Sequence, residues 1–394
     1  MPKSRRTTPR TPRIPRTRAL LAAAALVLPV LTALAAPAGA ADTAAVATAS
    51  VSMGDSYISG EAGRWQGNSL TTSGSRSGTD RAYTGSGYDP ARVYGSTYAS
   101  GCDRSDVAEI RSAGTISQNQ INLACSGAVS QNVFRAANGG QAYKGEAPQA
   151  DQLAGVARQY NVKLITLSIG GNDLGFADVI SSCVQDYLVW YSYCHDDQQD
   201  AVDGKMTAAM AGVGKSIDEI RAVMSAAGYA AVSYRIVLQS YPSPIPRSAE
   251  MRYPESGWTR ANTGGCPFWN QDADWARDSL VPQISTRLAG VAAAKGVQFL
   301  DLRDLLQGRE VCSKATKLAS SSSAPSATSS EWARWLDLGT STQGTVQESF
   351  HPNYYAQLAL GRCLTLLNAQ ASGNWSCRNT AGKDTSGVFL AARS

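Results

Sequence analysis

Short apolar, β-branched runs alternate along the chain with longer stretches whose apolar residues recur at helical spacing. AVATASVSMGD (45–55) reads as a strand, and VKLITLSIGGND (162–173) as a buried strand ending in glycines; RIVLQSYP (235–242) and VQFLDL (297–302) are two more. Between them, DGKMTAAMAGVGKSIDEIRAVMSAAG (203–228) and DADWARDSLVPQISTRLAGVAAAKG (272–296) have helical periodicity and stop at glycine. NYYAQLALGRCLTLLNAQ (353–370) reads as a last helix. Strands alternating with helices predict a parallel sheet covered on both faces, with ligands at the carboxyl ends of its strands. Two irregular stretches interrupt the pattern. Residues 59–101 are rich in Gly, Ser, Thr and Tyr, and residues 313–345 contain LASSSSAPSATSS, whose low complexity predicts a mobile loop. One α/β domain with large loop insertions, residues 41–394, fits better than two domains.

The first forty residues have a different logic. Lys3, Arg5, Arg6, Arg10, Arg13, Arg16 and Arg18 precede an apolar run at 19–36, and Ala38 and Ala40 supply a small pair before a cut. That order predicts a secretory signal peptide over 1–40. Pro29 interrupts the run, which is short for a membrane span. The Arg5-Arg6 pair is distant from the apolar run, which favours the general secretory route over twin-arginine export. Removal of this segment alters the charge balance. The whole chain carries 36 basic and 31 acidic residues, net +5; without the seven listed cations 29 face 31, about −2. The basicity belongs to the targeting segment, so nucleic-acid binding loses its support.

Eight cysteines lie beyond it: Cys102, Cys125, Cys183, Cys194, Cys266, Cys312, Cys363 and Cys377. An even count in an exported chain predicts a disulfide framework. About 105 pairings exist for eight cysteines, and pairing neighbours along the chain is the simplest. No CxxC occurs and neither histidine stands at zinc spacing from a cysteine pair, so no metal is expected.

Four stretches combine chemistry-bearing residues with predicted strand ends or loops. SMGDSYISGEAG places Ser56 after Gly54; NLACSGA places Gly127 in a small-residue turn; SIGGNDLGF places Asn172 after two glycines; QESFHPNYY holds His351 on a loop entering the last helix. A serine hydroxyl becomes a nucleophile when histidine takes its proton, and the imidazole needs an acceptor on its other nitrogen. Glu348 can supply a carboxylate or its backbone carbonyl. An oxyanion needs donors, and the Ser56 N–H, the Gly127 N–H and the Asn172 amide make three. Each motif alone has a simpler structural use, as a turn, a helix cap or a loop histidine; their joint order carries the reading. GxSxG does not occur, which disfavours an α/β-hydrolase elbow.

These four stretches resemble the four blocks of the SGNH hydrolase superfamily, the GDSL esterases and lipases, whose Ser, Gly, Asn and His fall in this chain order on Ser56, Gly127, Asn172 and His351. GDSYISGEAG and ACSGA look especially like secreted actinobacterial esterases and phospholipases. The resemblance implies a three-layer α/β/α sandwich of flavodoxin-like type and hydrolysis through an acyl-enzyme on serine, without a cofactor. Asp55 belongs to the motif but is not the general acid or base. The last block usually reads Asp-x-x-His; Glu348 replaces the aspartate here, and some related members use a backbone carbonyl instead. The substrate expected first is a lipid or other acyl ester, and then an acetylated polysaccharide; a non-catalytic carbohydrate binder on the same fold is the competing class. A monomer with transient contact to a lipid surface is expected.

Other features read more plainly. His195, in WYSYCHDDQQD, is expected to be a solvated loop histidine, and NQDADW (270–275) lacks the glycine of a calcium loop and is better explained by helix capping. The aromatic residues of the insertions, including Trp65, Tyr94, Tyr187, Trp258 and Trp269, either line an acyl groove or pack the loops.

Overall fold

In strand β1 (Thr48–Gly54), Ala49, Val51 and Met53 are fully buried, and so are Ser50 and Ser52 on the opposite face. Burial on both faces is the mark of a parallel sheet covered by helices. The computed structural model describes residues 46–71, 75–189, 192–337 and 344–393; the segment read as a signal peptide lies outside them. Beside β1 lie β2 (Asn119–Asn122) and β3 (Asn161–Ser168), followed by β4 (Arg235–Gln239), β5 (Gln298–Asp301), β6 (Trp375–Arg378) and β7 (Phe389–Ala392). The sheet order is β2-β1-β3-β4-β5-β6-β7, and every pair is parallel except β6 with β7. An order of 2-1-3-4-5 is that of the flavodoxin-like doubly wound fold, whose ligand crevice opens where the winding reverses, beyond β1 and β3. The expected parallel sheet therefore gains an antiparallel edge strand, formed by a C-terminal hairpin.

The helices form two groups. The long α3 (His195–Ala226) packs against α1 (Gln149–Gln159) and α4 (Val281–Lys295), whereas α5 (Tyr354–Asn368) packs against the Glu109–Ser112 turn and β7. Between α1 and α3, α2 (Phe176–Val189) continues the chain from the end of β3. The four strands and three helices anticipated from periodicity are present, but α3 begins at His195, eight residues before the apolar period starts. Asn353 caps α5 by accepting from the N–H groups of Tyr355 and Ala356 at 3.0 and 3.4 Å.

Disulfides join Cys102 to Cys125, Cys183 to Cys194, Cys266 to Cys312 and Cys363 to Cys377. The mobile serine-rich loop is corrected over its described part: Trp332, Ala333, Glu331 and Arg334 are fully buried there. Its backbone pairs with the rest of the chain, Ala319 N–H donating to Asn68 O and Trp332 N–H to Arg309 O. Low complexity at its surface had masked a buried WARW segment. Residues 338–343 of this stretch lie outside the described residues.

Candidate active site

Ser56 opens a single helical turn, Ser56–Ser59, at the carboxyl end of β1. Gly54, just before it, has φ of 133°, and a Cβ there would fall 1.8 Å from Ser168 O, so only glycine lets β1 run this close to β3. Asp55 caps the turn, accepting from Tyr57 N–H at 3.2 Å, and also accepts from the Tyr241 hydroxyl. Burial pushes its carboxyl up to about 7, against the lowering effect of the Tyr241 bond. Tyr241 in turn accepts from Gly171 N–H at 3.0 Å, fastening the serine turn to the turn that carries Asn172.

His351 arrives from the far end of the chain. Its Nε2 lies 2.7 Å from Ser56 Oγ, and its Nδ1 faces the carbonyl oxygen of Ser349 at 3.0 Å. Burial pushes the imidazole down to about 4, so the ring is neutral at ordinary pH, with Nδ1–H donating to the carbonyl and Nε2 free to accept from the serine. The loop is strongly constrained. Phe350 has φ of 60°, uncommon for a bulky residue, and is held there by buried contacts. Its N–H donates to Arg334 O, its carbonyl accepts from the Tyr57 hydroxyl at 3.0 Å, and Arg334 N–H donates to His351 O.

Glu348 is corrected. Its carboxylate accepts from Trp65 Nε1 at 3.1 Å, Tyr94 Oη at 2.8 Å and Thr345 N–H at 3.1 Å. With three donors turned on it, the side chain braces the base of the loop and does not meet the imidazole ring. The acceptor 3.0 Å from Nδ1 is the carbonyl one residue later, that of Ser349, and the Glu348 backbone carbonyl supports the ring beside it.

The other two motif turns converge on the same place. Gly127 has φ of 82°, and a Cβ on it would meet Tyr143 Oη at 2.5 Å. Neither its N–H nor that of Ser56 meets a partner among the described residues. One N–H of the Asn172 amide donates to Ala128 O at 2.9 Å, which orients the group and leaves the second free. Asp173 is occupied in tying this turn to Ser130, whose hydroxyl donates to it at 2.6 Å. Ser56, Gly127, Asn172 and His351 thus line one cavity of about 610 Å³. One wall is apolar: Phe176, Ile180, Val184 and Leu188, four residues apart along α2, and Leu336 and Phe350 also line the cavity. The other is polar, with Glu61, Ser126, Tyr143, Lys144 and Gln347.

A model of the GDSL-like lipase/acylhydrolase family matches residues 53–354. The chain belongs to that family. This GDSL-like protein is 27% identical over 209 residues to Lipase 1 of Streptomyces coelicolor, a match spanning 53% of the chain and 60% of the length of that relative. It is similar to the crystal structure of an extracellular lipase from Streptomyces rimosus at 23% identity and a TM-score of 0.44, covering 82% of this chain and all of that one. It is also similar to phospholipase A1 from Streptomyces albidoflavus at 21% identity and a TM-score of 0.48, covering 83% and 100% of the two chains.

Several residues at the GDSL-like site escaped the sequence reading. Tyr241 follows β4 in a stretch read only as a strand end, and Ser349 acts through a carbonyl that every residue possesses. Glu61 stood within the quoted GDSYISGEAG block without a role. The aromatic residues of the insertions do not form the apolar wall: Trp65, Tyr94 and Tyr187 are buried in packing, while Trp258 is exposed. Trp190 and Tyr191 lie outside the described residues. The reading of His195 is also corrected. His195 is no solvated loop residue but begins α3, its Nδ1 2.8 Å from the fully buried Asp272. Asp272 does cap a helix, by accepting His195 N–H at 3.1 Å, but the helix is α3 and not its own.

Proposed function

We propose that the protein is an exported serine ester hydrolase acting on esters with an apolar acyl chain. The observation that carries the reading is the 2.7 Å approach of His351 Nε2 to Ser56 Oγ at the edge of the α2 wall. Ser56 Oγ attacks the ester carbonyl while Nε2 takes its proton, and the carbonyl electrons move onto the oxygen. The N–H groups of Ser56 and Gly127 and the free N–H of Asn172 receive that oxyanion. The proton then passes from Nε2 to the departing alcohol, and water activated by the same imidazole releases the acid from the acyl-enzyme. The Ser349 carbonyl holds the ring in the tautomer this requires. Residues 1–40 serve as the export signal, a role supported by four disulfides of the kind that persist in oxidising compartments.

The acyl chain lies along Phe176, Ile180, Val184 and Leu188, and the alcohol leaves toward the polar wall. A series of p-nitrophenyl esters from acetate to palmitate tests this on the wild type and Val184→Trp. The wild type is expected to favour medium or long chains, and filling the wall to lower the long-to-short ratio of kcat/KM by about tenfold. Activity confined to acetate, with no response to Val184→Trp, overturns the lipid reading in favour of deacetylation.

A further inference from the structure

An imidazole oriented by a main-chain carbonyl lacks the anion that normally balances the imidazolium formed during acyl transfer. Burial makes the lack more serious, since His351 resists protonation. The structure offers a carboxyl on the opposite edge of the ring. Glu61 Oε2 lies 3.5 Å from His351 Nε2, the nitrogen that gains the proton. Glu61 is 1% exposed, yet it lines the cavity, and its Oε1 has no partner among the described residues. Oε2 accepts from Ser126 Oγ at 2.6 Å, and Ser126 Oγ itself accepts from Gln347 Nε2. Ser126 directly precedes Gly127, so this chain of bonds ties Glu61 to the oxyanion turn.

We infer that Glu61, in its ionised form, is the counter-charge of the His351 imidazolium, acting from the Nε2 side where a triad carboxylate would act from Nδ1. The inference rests on the reading of Ser56 and His351 given above. When Oγ bonds to the carbonyl carbon and its proton moves to Nε2, the new positive charge faces the Glu61 carboxylate at 3.5 Å. When Nε2–H passes to the leaving oxygen, the ring becomes neutral and the carboxylate remains. The imidazolium faces the carboxylate only in the intermediate and the transition states flanking it, so the interaction favours the transition state over the ground state.

The charged and titratable groups facing Glu61 are His351, Lys144, Asp103 and Glu348, with the phenols of Tyr57, Tyr94 and Tyr143. Burial dominates and holds the Glu61 carboxyl well above its usual range; Asp103 and Glu348 push the same way, and the Ser126 bond and Lys144 oppose them. An active form with Glu61 ionised and His351 neutral therefore gains activity as pH rises through the Glu61 titration. His351 alone would give a low limb near its own value of about 4.

The test measures kcat/KM against pH for the wild type, Glu61→Gln, Ser126→Ala and Ser56→Ala. Glu61→Gln is expected to lower kcat on the order of 10- to 100-fold with little change in KM, and to move the acid limb to lower pH. Ser126→Ala removes the bond that favours ionisation, so it moves that limb to higher pH. Non-specific damage to the fold would not produce opposite shifts. As a check independent of turnover, each protein is labelled with a fluorophosphonate and the His351 imidazolium is titrated by proton NMR in the adduct. The ring loses its proton at lower pH in Glu61→Gln. Unchanged limbs and an unchanged NMR titration, with Ser56→Ala inactive, overturn the role of Glu61 alone. Full activity in Ser56→Ala overturns the serine mechanism and this inference with it.

Discussion

The two histidines of this chain occupy opposite kinds of environment. His195 has the partner a catalytic imidazole is expected to have, a buried carboxylate on Nδ1 at 2.8 Å, and a second carboxylate, Asp196, 3.4 Å from Nε2. Its Nδ1 is tied to a buried carboxylate, and among the described residues no hydroxyl faces either ring nitrogen, so the ring has nothing to deprotonate. His351 has a carbonyl on Nδ1 and the Glu61 carboxyl 3.5 Å from Nε2, but that Nε2 also meets a hydroxyl at 2.7 Å at the edge of a cavity. A His–Asp contact is therefore no signature of catalysis. What distinguishes a base is a nitrogen left free to accept, facing a group with a proton to give.

Substitutions at each histidine can break that contrast. The largest effect is expected at the dyad: Ser56→Ala and His351→Ala each reduce ester hydrolysis by about 10⁴-fold or more, and the double variant costs little beyond either single one, because the two act as a unit. Independent, multiplying losses would mean that they act separately. A smaller effect, on stability, is expected at Glu348. Its truncation leaves two buried donors unpaired, from Trp65 and Tyr94, at ~1–3 kcal/mol each where water cannot replace the bond, so the melting temperature falls by several degrees. The folded Glu348→Ala enzyme keeps most of its kcat, since the Ser349 carbonyl still orients the ring; a loss by orders of magnitude at a temperature where the variant is fully folded would make the carboxylate the true partner. The smallest effect belongs to His195→Ala, which leaves hydrolysis unchanged and lowers stability by ~1–2 kcal/mol through the unpaired Asp272. A fall in kcat there would dissolve the distinction between the two rings.

The sequence made the fold and the four motif turns legible because their signals are local. β3, β4 and β5 hold short apolar runs, β1 alternates Ala49, Val51 and Met53 with small residues, and α3, α4 and α5 carry helical periods ending near glycine or polar caps. β2 escaped because NQIN is polar, as an edge strand can be, and β6 and β7 because a four-residue hairpin has too short a period to recognise. Ser56, Gly127, Asn172 and His351 could be read from motifs that constrain backbone geometry, with glycines at positions of positive φ. The acceptor of His351 could not, since a carbonyl has no residue identity and only the turn at Phe350 decides which one faces the ring. Tyr241 and Glu61 act through contacts across the sheet or across the cavity, and nothing near them in sequence marks the partner. The serine-rich stretch shows the opposite limit, where composition hid the buried Trp332 and Arg334.

The most direct test of the central claim is peptide mapping of the oxidised protein after reaction with a fluorophosphonate. One phosphonyl group on Ser56, absent from Ser56→Ala and formed far more slowly in His351→Ala, is the predicted result. Folded wild-type protein that takes no label, or label at another residue that persists in Ser56→Ala, would contradict it.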